Sequence, residues 1–397
     1  MRKKRIGILT GGGDVSPLNS VLVAAQKACL EHGIELIGFI KGWQGLVENK
    51  FVPVASLSFD PLIGGTILKS ARFNLEKVAN GIEKTRENFK KLELGGLIVI
   101  GGEDTLSNCF FLRELPLVLI SKTIDNDVGT IPENGKVKPE EITNYFTLGF
   151  PTAAGRICSF VSLREGLRTT AYSHERLMVV ESMGMSAGWL ALSSSMGHPD
   201  FIVIPEFPLI YEKFKAVLSE RFRRQRHAIV VVAEGAKWED GSFMSADDRG
   251  KDDFGHPRFK GAAEALSRRL KEDLKSEFEV RNINAVNPSY LYRSGRPCQL
   301  DFQWATQLGR RAVELLHQGN NQALFLTIQR KGGEFVSHFH PLQNHNHMGA
   351  LHRFVDQRFF DGACYSVTES GKSYLSAIIE EFPLIQAYGL EHFSSAP

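Results

Sequence analysis

The stretches LIVIGGEDT (97–105) and LVLISKTIDND (117–127) decide the fold of this 397-residue chain. Each begins with four apolar residues typical of a buried strand and ends in polar and charged residues. Ligands of an open parallel sheet bind outside the carboxyl ends of its strands. The two stretches therefore predict neighbouring strands that deliver carboxylates, a lysine and a threonine hydroxyl to one crevice. Such a set of groups suits magnesium-assisted phosphoryl transfer.

A βαβ unit is predicted at the start of the chain. An apolar run (5–10) leads into GGGD (11–14), a stretch with helical spacing follows, and a second apolar run covers 34–40. This unit requires parallel strands joined by a crossover helix. A glycine-rich strand end that opens onto a helix suits a phosphate, because backbone N–H groups point at the anion. The triple glycine fits equally well a plain tight turn that needs positive φ.

Composition and charge narrow the class of protein. A chain of this length is too long for one ordinary core, so we expect two domains. The formal net charge of +2 gives no reason to expect nucleic acid or an acidic membrane as a partner. Five scattered cysteines without a CxxC pair favour a reduced compartment over disulfides or zinc. No stretch approaches the roughly 18 apolar residues of a membrane helix. We therefore expect a cytoplasmic protein.

A second series of α and β elements starts near residue 146. Apolar runs and helical spacing predict, in order, a helix (151–168), three strands (177–181, 201–204, 228–233) and another helix (262–274). Farther along, five histidines lie between residues 338 and 352. Imidazole is a common metal ligand, but this run contains a proline and a glycine and has no helical pairing with an acid. We expect an ordinary loop there, with a metal site as the alternative.

The two polar clusters contain the parts of a phosphotransfer site. Glu103 or Asp104 could supply the carboxylate that a magnesium ion needs. Asp125 could accept the proton of an attacking hydroxyl, with Asp127 as its support or as a further metal ligand. Lys122 would set a compact positive charge against the transferring group. Each acid alone is more often a turn or cap residue. Both clusters together, each at a strand end, favour the catalytic interpretation.

Seven blocks of the sequence resemble, in order, the motifs of the phosphofructokinase family. They are TGGGD (10–14), GGTILKSARF (64–73), IGGEDT (100–105), KTIDND (122–127), SHERLMVVESMG (173–184), VAEGA (232–236) and NPSYLYRSG (287–295). The resemblance implies transfer of a phosphoryl group from ATP or pyrophosphate to the 1-hydroxyl of fructose 6-phosphate. It also implies an α/β fold of two similar Rossmann-like, three-layer domains with the active site in the cleft between them.

The same resemblance implies two domains that bind different ligands. Residues 1–147 plus about 293–365 would form the phosphoryl-donor domain, and residues 148–292 plus about 366–397 the sugar-phosphate domain. Family members assemble as homo-oligomers, so we expect a homodimer or homotetramer. Arg176 resembles an arginine that crosses the subunit interface to reach the sugar phosphate of the neighbouring subunit.

Carried over position by position, the resemblance gives each site residue a role. The phosphoryl donor would be contacted by Gly12, Gly13, Asp104 and Lys122, with Arg72 neutralising the transferring group and Glu103 holding Mg²⁺. Asp125 would be the base, assisted by Asp127. The sugar phosphate would be bound by Thr123, Asp125, Arg176, Met183, Gly184, Glu234, Arg281, Tyr290 and Arg293.

The identity of the donor is implied by two positions. Members of the family that use ATP usually carry glycine where this chain has Asp104 and Lys122. An aspartate at the first position occupies the space of the nucleotide beyond its β-phosphate and repels the α-phosphate. The lysine supplies charge to the shorter, denser pyrophosphate anion. The resemblance is therefore to the pyrophosphate-dependent branch, whose members run the reaction in both directions.

Two departures from the family pattern leave other interpretations open. Met185 replaces an arginine that normally helps to bind the donor, and Pro17 in the first glycine turn has no N–H to give a phosphate. A catalytically weak regulatory paralogue that binds sugar phosphates is one alternative. An ATP-dependent enzyme, or a kinase for another sugar phosphate such as sedoheptulose 7-phosphate, is a second.

Overall fold

The computed structural model describes residues 4–132, 135, 137–245, 261–275 and 282–383. The strands are β1 (Arg5–Thr10), β2 (Glu35–Phe39), β3 (Phe51–Pro53), β4 (Leu94–Gly101), β5 (Leu117–Thr123), β6 (Leu148–Gly149), β7 (Leu177–Ser182), β8 (Phe201–Val203), β9 (Ala228–Ala233), β10 (Ile283–Val286), β11 (Leu324–Lys331), β12 (Glu334–Pro341), β13 (Phe360–Asp361) and β14 (Ser366–Val367). The helices are α1 (Leu18–Glu31), α2 (Trp43–Val47), α3 (Gly81–Lys91), α4 (Glu103–Ser107), α5 (Phe150–Val161), α6 (Arg168–Ser173), α7 (Trp189–Ser193), α8 (Tyr211–Gln225), α9 (Ala262–Leu274), α10 (Gln299–His317) and α11 (Glu369–Ser376). Within these ranges, no helix is long and apolar enough to cross a membrane.

The first compact unit comprises residues 1–152 and 293–353. In its described part the strands form one sheet in the order β12-β11-β5-β4-β1-β2-β3, and β6 pairs with β5. The strands from β11 to β2 run parallel, and β3 and β12 are antiparallel edges. The side chains of residues 97–100 are fully buried in the middle of this sheet, as expected for a strand covered on both faces. The unit is therefore a parallel α/β layer structure.

Helices α1 and α10 of this unit pack against each other. A glycine makes the close approach possible, because a Cβ at Gly309 would lie 2.6 Å from the carbonyl oxygen of Val21. Asp301, in the first turn of α10, ties this helix to the start of α5. Its carboxylate is fully buried and accepts the N–H groups of Gly149 and Thr152 at 2.8 and 2.9 Å. These contacts fix the layer that lies over the sheet.

The second compact unit comprises residues 153–292 and 354–397. Its main described sheet has the order β10-β7-β9-β8, and all three pairings are parallel. Helices α8 and α9 contribute Phe214, Leu218, Leu266 and Leu270 to a core against these strands. The predicted strands at 177–181, 201–204 and 228–233 correspond to β7, β8 and β9. The predicted fold class, α/β with two similar domains, is confirmed.

The prediction of one helix over residues 151–168 is wrong beyond Val161, where α5 ends and a separate helix, α6, follows later. The chain folds back on the end of α5, because Leu167 donates its N–H to the carbonyl oxygen of Phe160 at 2.7 Å. Gly166 permits this close return, since a Cβ there would lie 2.2 Å from the same carbonyl oxygen. The turn is stabilised by a local backbone hydrogen bond, from Leu167 to Phe160, that helical spacing does not reveal.

The expectation of an ordinary loop over the five histidines is wrong at its start. His338 and His340 lie on β12, which pairs antiparallel with β11. The two strands are joined at Gly332 and Gly333, whose φ angles are +57° and +88°. Positive φ at both central residues is the conformation of a two-residue type I′ hairpin turn. The histidines of β12 are therefore part of an edge hairpin.

Candidate active site

The carboxyl ends of β1, β4 and β5 lie side by side in the first unit. Parallel pairing sets Thr10 beside Ile100 and Ile100 beside Ile120. The glycine turn (11–13) follows β1, and the acids of α4 follow β4. Residues 122–127 form the end of β5 and the loop after it. The groups of the first unit that the sequence predicts for one crevice therefore all lie at the carboxyl end of the sheet.

Two N–H groups of the glycine turn are already bound within the protein. Gly11 donates to the carbonyl oxygen of Ile100 at 3.0 Å, and Gly12 donates to that of Ala71 at 3.1 Å. Gly12 has a φ of +76°, and a Cβ there would lie 3.1 Å from the Nζ atom of Lys122. Gly12 is therefore needed for its backbone conformation and for space beside the lysine, and not as a hydrogen-bond donor to a phosphate.

Lys122 is the penultimate residue of β5 and is buried, with 3% of its surface exposed. Its Nζ atom donates to the carbonyl oxygen of Gly13 at 2.5 Å. The pKa of Lys122 is lowered to about 8, mainly by burial and then by the charges of Arg293 and Arg72, whereas Asp14 and Asp127 act in the opposite direction. A buried ammonium group surrounded by other cations is electrostatically expensive. A bound anion would relieve that cost.

Two arginines contribute to the same positive region. Arg72 belongs to the segment 64–73, which is tied to the glycine turn because Ser70 Oγ donates to the carbonyl oxygen of Gly12 at 2.5 Å. The Nη1 atom of Arg293 lies 2.5 Å from the position of a Cβ at Gly13, and its Nε lies 3.4 Å from Asp14 Oδ1. We call Arg72, Lys122 and Arg293 the cationic cluster. The predicted contact of Arg293 with a sugar phosphate stays a prediction.

The acids of α4 occupy its first turn, where Glu103 and Asp104 follow Gly102. Glu103 Oε2 accepts a hydrogen bond from His352 Nδ1 at 2.8 Å. The negative charge of Glu103 also raises the pKa of Asp127. Two carboxylates from different strand ends therefore lie within electrostatic reach of each other and of one histidine.

The loop after β5 is held by its own side chains. Thr123 Oγ1 accepts the N–H of Asp125 at 3.1 Å, which fixes the backbone of the predicted base. Asn126 is fully buried with a φ of +54°, a conformation that asparagine tolerates better than most residues. Asp127 is buried, and this burial raises the pKa of its carboxyl group, with the Glu103 charge raising it further and His352 lowering it.

Glu103 and Asp127 fit a magnesium ion by the chemistry of their oxygen atoms. Mg²⁺ prefers one or two carboxylates and completes its shell with water and substrate phosphates. Among the described residues, Asp127 Oδ1 is buried without a hydrogen-bond partner, which is costly unless a cation compensates the charge. The described ranges contain no group of three or more His, Cys, Asp or Glu that could hold a metal. Water and substrate phosphates would complete the shell of an ion held by these two carboxylates.

Sequence reasoning missed His352 and Arg353. The backbone of His352 forms an antiparallel bridge with Val128, and Arg353 donates its N–H to the carbonyl oxygen of Asp127 at 2.7 Å. The guanidinium group of Arg353 donates to the carbonyl oxygen of Asn126 at 2.7 Å. The run of five histidines drew attention to this segment but did not indicate which of them meets an acid 249 residues away.

In the second unit, the ends of β7 and β9 bring two predicted sugar-binding residues together. Gly184 donates its N–H to Glu234 Oε1 at 3.1 Å, and Met183 precedes Gly184. Gly184 has a φ of +127°, and a Cβ there would lie 2.7 Å from the carbonyl oxygen of Ala187. The turn after β7 therefore requires glycine and directs its backbone at the Glu234 carboxylate.

The other predicted residues of the second unit lie elsewhere. Arg176 precedes β7, at the opposite end of that strand from Gly184, and its Nη1 donates to Thr170 Oγ1 at 2.7 Å. The rise of an extended chain separates the two ends by roughly 20 Å. Tyr290 is 65% exposed on a short 3₁₀ turn. Arg281 lies outside the described residues.

Two solved structures share the fold of this chain. The chain is similar to the pyrophosphate-dependent phosphofructokinase of Marinobacter aquaeolei, with a TM-score of 0.77 and 21% identity over 96% of this chain and 93% of that chain. It is similar to the corresponding protein of Nitrosospira multiformis, with a TM-score of 0.78 and 20% identity over 97% and 95%. At these identities the likeness shows the fold alone, which is a two-domain α/β fold.

The chain belongs to the phosphofructokinase family, whose family model matches residues 5–316. It is 38% identical to the pyrophosphate–fructose 6-phosphate 1-phosphotransferase of Dictyoglomus thermophilum over 85% of this chain and 92% of that protein. It is 39% identical to the ATP-dependent 6-phosphofructokinase 3 of Streptomyces coelicolor over 79% and 88%. Relatives of nearly equal similarity thus carry names with different phosphoryl donors.

Proposed function

We propose that this protein is a diphosphate-dependent 6-phosphofructokinase of glycolysis, a reversible enzyme of the cytoplasm. Pyrophosphate would transfer one phosphoryl group to the 1-hydroxyl of fructose 6-phosphate. The sugar oxygen forms the new P–O bond, the bridging P–O bond of pyrophosphate breaks, and inorganic phosphate leaves with that electron pair. Asp125 takes the proton of the hydroxyl, and the products are fructose 1,6-bisphosphate and phosphate.

The observation that carries the choice of donor is the burial of Lys122 against the glycine turn, 2.5 Å from the Gly13 carbonyl oxygen. Together with Arg72 and Arg293 it concentrates positive charge in a small volume, which favours a short, highly charged anion. Asp104, one residue after Glu103 in α4, adds a negative charge that disfavours the α-phosphate of a nucleotide. The names of the relatives do not decide the donor, so this proposal rests on the site.

Magnesium is the cofactor that enzymes of this family generally use. Glu103 and Asp127 would hold it, and the bound ion would neutralise charge on the oxygen atoms of the phosphates. The contribution of this chain is to hold a buried carboxylate, Asp127, within electrostatic reach of the partly exposed carboxylate of Glu103. Arg72 would neutralise the transferring group directly.

For the sugar phosphate, we propose contacts with Thr123, Met183, Gly184, Glu234, Tyr290, Arg281 and Arg293. Arg176 would serve the site of a neighbouring subunit in a homodimer or homotetramer. This proposal is supported by the position of Arg176 at the end of β7 that is remote from Gly184. An arginine there cannot share a ligand with Gly184 of the same chain.

A catalytically weak, regulatory paralogue is the second candidate, favoured by Met185. The arginine normally found at this position is absent, and one lost transition-state contact of that kind costs roughly 10²–10³ in rate. The cationic cluster and the intact acids Asp125 and Glu103 oppose this candidate, because a protein without catalysis has no need to retain them together.

The test is a phosphotransfer assay on the purified protein with Mg²⁺ and fructose 6-phosphate, with pyrophosphate or ATP as donor. We expect fructose 1,6-bisphosphate from pyrophosphate at a kcat/KM well above that from ATP, and the reverse reaction from phosphate and fructose 1,6-bisphosphate. Turnover with ATP alone would overturn the choice of donor. Tight binding of fructose 6-phosphate without turnover of either donor would identify the regulatory paralogue.

A further inference from the structure

We propose that His352 is a positioning residue that holds the Glu103 carboxylate in place for the metal ion. The proposal rests on the proposed function, because it takes Glu103 as a metal ligand. It concerns a residue of the C-terminal part of the first unit, and none of the family motifs in the sequence contains it.

The contact itself is well defined. His352 Nδ1 lies 2.8 Å from Glu103 Oε2, and the two side chains are 12% and 37% exposed. An ionised carboxylate can only accept hydrogen bonds, so Nδ1 carries the proton and donates. This hydrogen bond restricts the rotation of a carboxylate that is partly open to solvent.

The histidine is itself held by the loop that carries the second carboxylate. Its backbone bridges Val128, and Gly129 donates its N–H to the carbonyl oxygen of Leu351 at 2.6 Å. The next residue, Arg353, is 2% exposed and donates to backbone carbonyls of Asn126 and Asn144 at 2.7 and 2.6 Å. The position of His352 is therefore set by residues on both sides of Asp127.

One short segment thus connects two strand ends. It contacts Glu103 through the His352 side chain and the Asp127 region through its backbone. The spacing between the two carboxylates is consequently fixed before any metal binds. Hydrogen-bonded partners of metal ligands affect metal affinity or activity by about 10- to 100-fold when removed, and we expect an effect of that size here.

The test measures Mn²⁺ binding to the full-length protein by the electron paramagnetic resonance signal of free Mn²⁺, without substrate. Wild type is compared with His352→Leu, which removes the donor at similar volume, and with His352→Asn, whose amide nitrogen can replace Nδ1. His32→Leu, at an exposed histidine between α1 and the start of β2, is the matched control. Thermal melts show which variants are folded.

We expect His352→Leu to weaken Mn²⁺ binding about 10- to 100-fold, and His352→Asn and His32→Leu to keep the affinity within about threefold of wild type. In a Glu103→Gln background, His352→Leu should add little, because its effect passes through the Glu103 carboxylate. If His352→Leu is unfolded, His352→Gln, with its amide one bond farther out, takes its place in the same cycle with the same expected loss.

Equal Mn²⁺ affinity in wild type and in the folded variant that lacks the Nδ1 donor would overturn the proposal. So would a full additional loss in the Glu103→Gln background, which would mark a general structural effect. The proposed function is tested separately. A protein whose Mn²⁺ affinity depends on His352 but which transfers phosphate from neither donor would retain this inference and lose the function, and an active enzyme indifferent to His352 would do the reverse.

Discussion

Lys122 shows how burial and charge oppose each other at a single residue. A lysine that loses its hydration and faces two arginines holds its proton less tightly than usual, which is why its pKa falls to about 8. A bound polyanion would reverse this effect. The same residue therefore contributes little as a charge in the empty site at high pH and contributes strongly once an anionic donor is bound.

The first prediction concerns the pH dependence of Lys122. Below its pKa of about 8 the side chain is charged, so kcat/KM for pyrophosphate should fall as the pH rises through about 8, since kcat/KM reports ionisations of the free enzyme. The unfolded state binds more protons than the folded state between about pH 8 and 10.4, so this lysine makes the protein more stable there as pH rises. Activity and stability should therefore move in opposite directions.

Two measurements between pH 7 and 10 check this prediction. The first is the initial rate at a low concentration of pyrophosphate, and the second is the free energy of unfolding from chemical denaturation. The Lys122→Gly variant is the control, because its remaining activity should lack the descending limb near pH 8. A wild-type rate that stays level up to pH 9.5 would contradict the assignment of Lys122 to the donor site.

The second prediction concerns Gly12. Alanine there adopts a φ of +76° and sets its Cβ 3.1 Å from Lys122 Nζ. Gly33 has a φ of +66° with nothing within 4 Å of a Cβ, so Gly33→Ala is a matched control for strain alone. Both variants should lose roughly 1–2 kcal/mol of stability, measured by denaturation. Only Gly12→Ala should have a lower kcat/KM for pyrophosphate than wild type. Equal activity in both variants would contradict the role given to Gly12.

Among the elements, the buried strands were predictable and the turn that ends α5 was not. β1, β4 and β5 appear in the sequence as uninterrupted apolar runs, because both of their faces are covered. The end of α5 depends on Gly166 and the Phe160 carbonyl oxygen, a contact with no periodic signal. The hairpin at Gly332 and Gly333 did have a signal, since two glycines between alternating residues are typical of such turns.

The candidate site was also predictable only in part from the sequence. Lys122, Glu103 and Asp127 follow strand ends, so their common edge can be derived from parallel pairing alone. His352 cannot be derived in that way, because its partner Glu103 is 249 residues distant and no local pattern links them. Residues at the end of a predicted strand can be placed from the sequence, and those brought in by the C-terminal segment need the structure.

The third prediction concerns the junction between α10 and the start of α5. Asp301→Ala leaves the buried N–H groups of Gly149 and Thr152 without their acceptor, so the free energy of unfolding should fall by roughly 3 kcal/mol. Glu83→Ala, at an exposed acid in the first turn of α3, is the matched control and should cost less than about 1 kcal/mol. Equal effects in urea denaturation would show that Asp301 acts only through its charge at a helix start.

At the scale of the whole molecule, the chain divides into two α/β units that each end their central strands in polar residues. The first unit carries the cationic cluster and the paired carboxylates, and the second carries Glu234 and Gly184. In the functional proposal, the first unit binds the phosphoryl donor and the second unit binds the sugar phosphate. Arg176 would contact the sugar phosphate in a neighbouring subunit, so the proposal involves a second chain.

The fourth prediction tests whether Arg176 serves a neighbouring subunit. Arg176→Ala and Asp125→Ala should each be nearly inactive alone. When the two variants are co-expressed, random pairing makes about half the dimers hybrid, and each hybrid has one complete site, so about a quarter of wild-type activity should return. Two copies of the Arg176→Ala variant are the control. Co-expression without any recovery would mean that Arg176 acts within its own chain.

The central claim is that Asp104 and Lys122 together select pyrophosphate over ATP. The most direct test is the ratio of kcat/KM for the two donors in wild type and in the variant that combines Asp104→Gly and Lys122→Gly, with both single variants alongside. We predict that the double change shifts this ratio toward ATP by roughly 10²–10³, more than either single change. Equal losses with both donors, and an unchanged ratio, would contradict it.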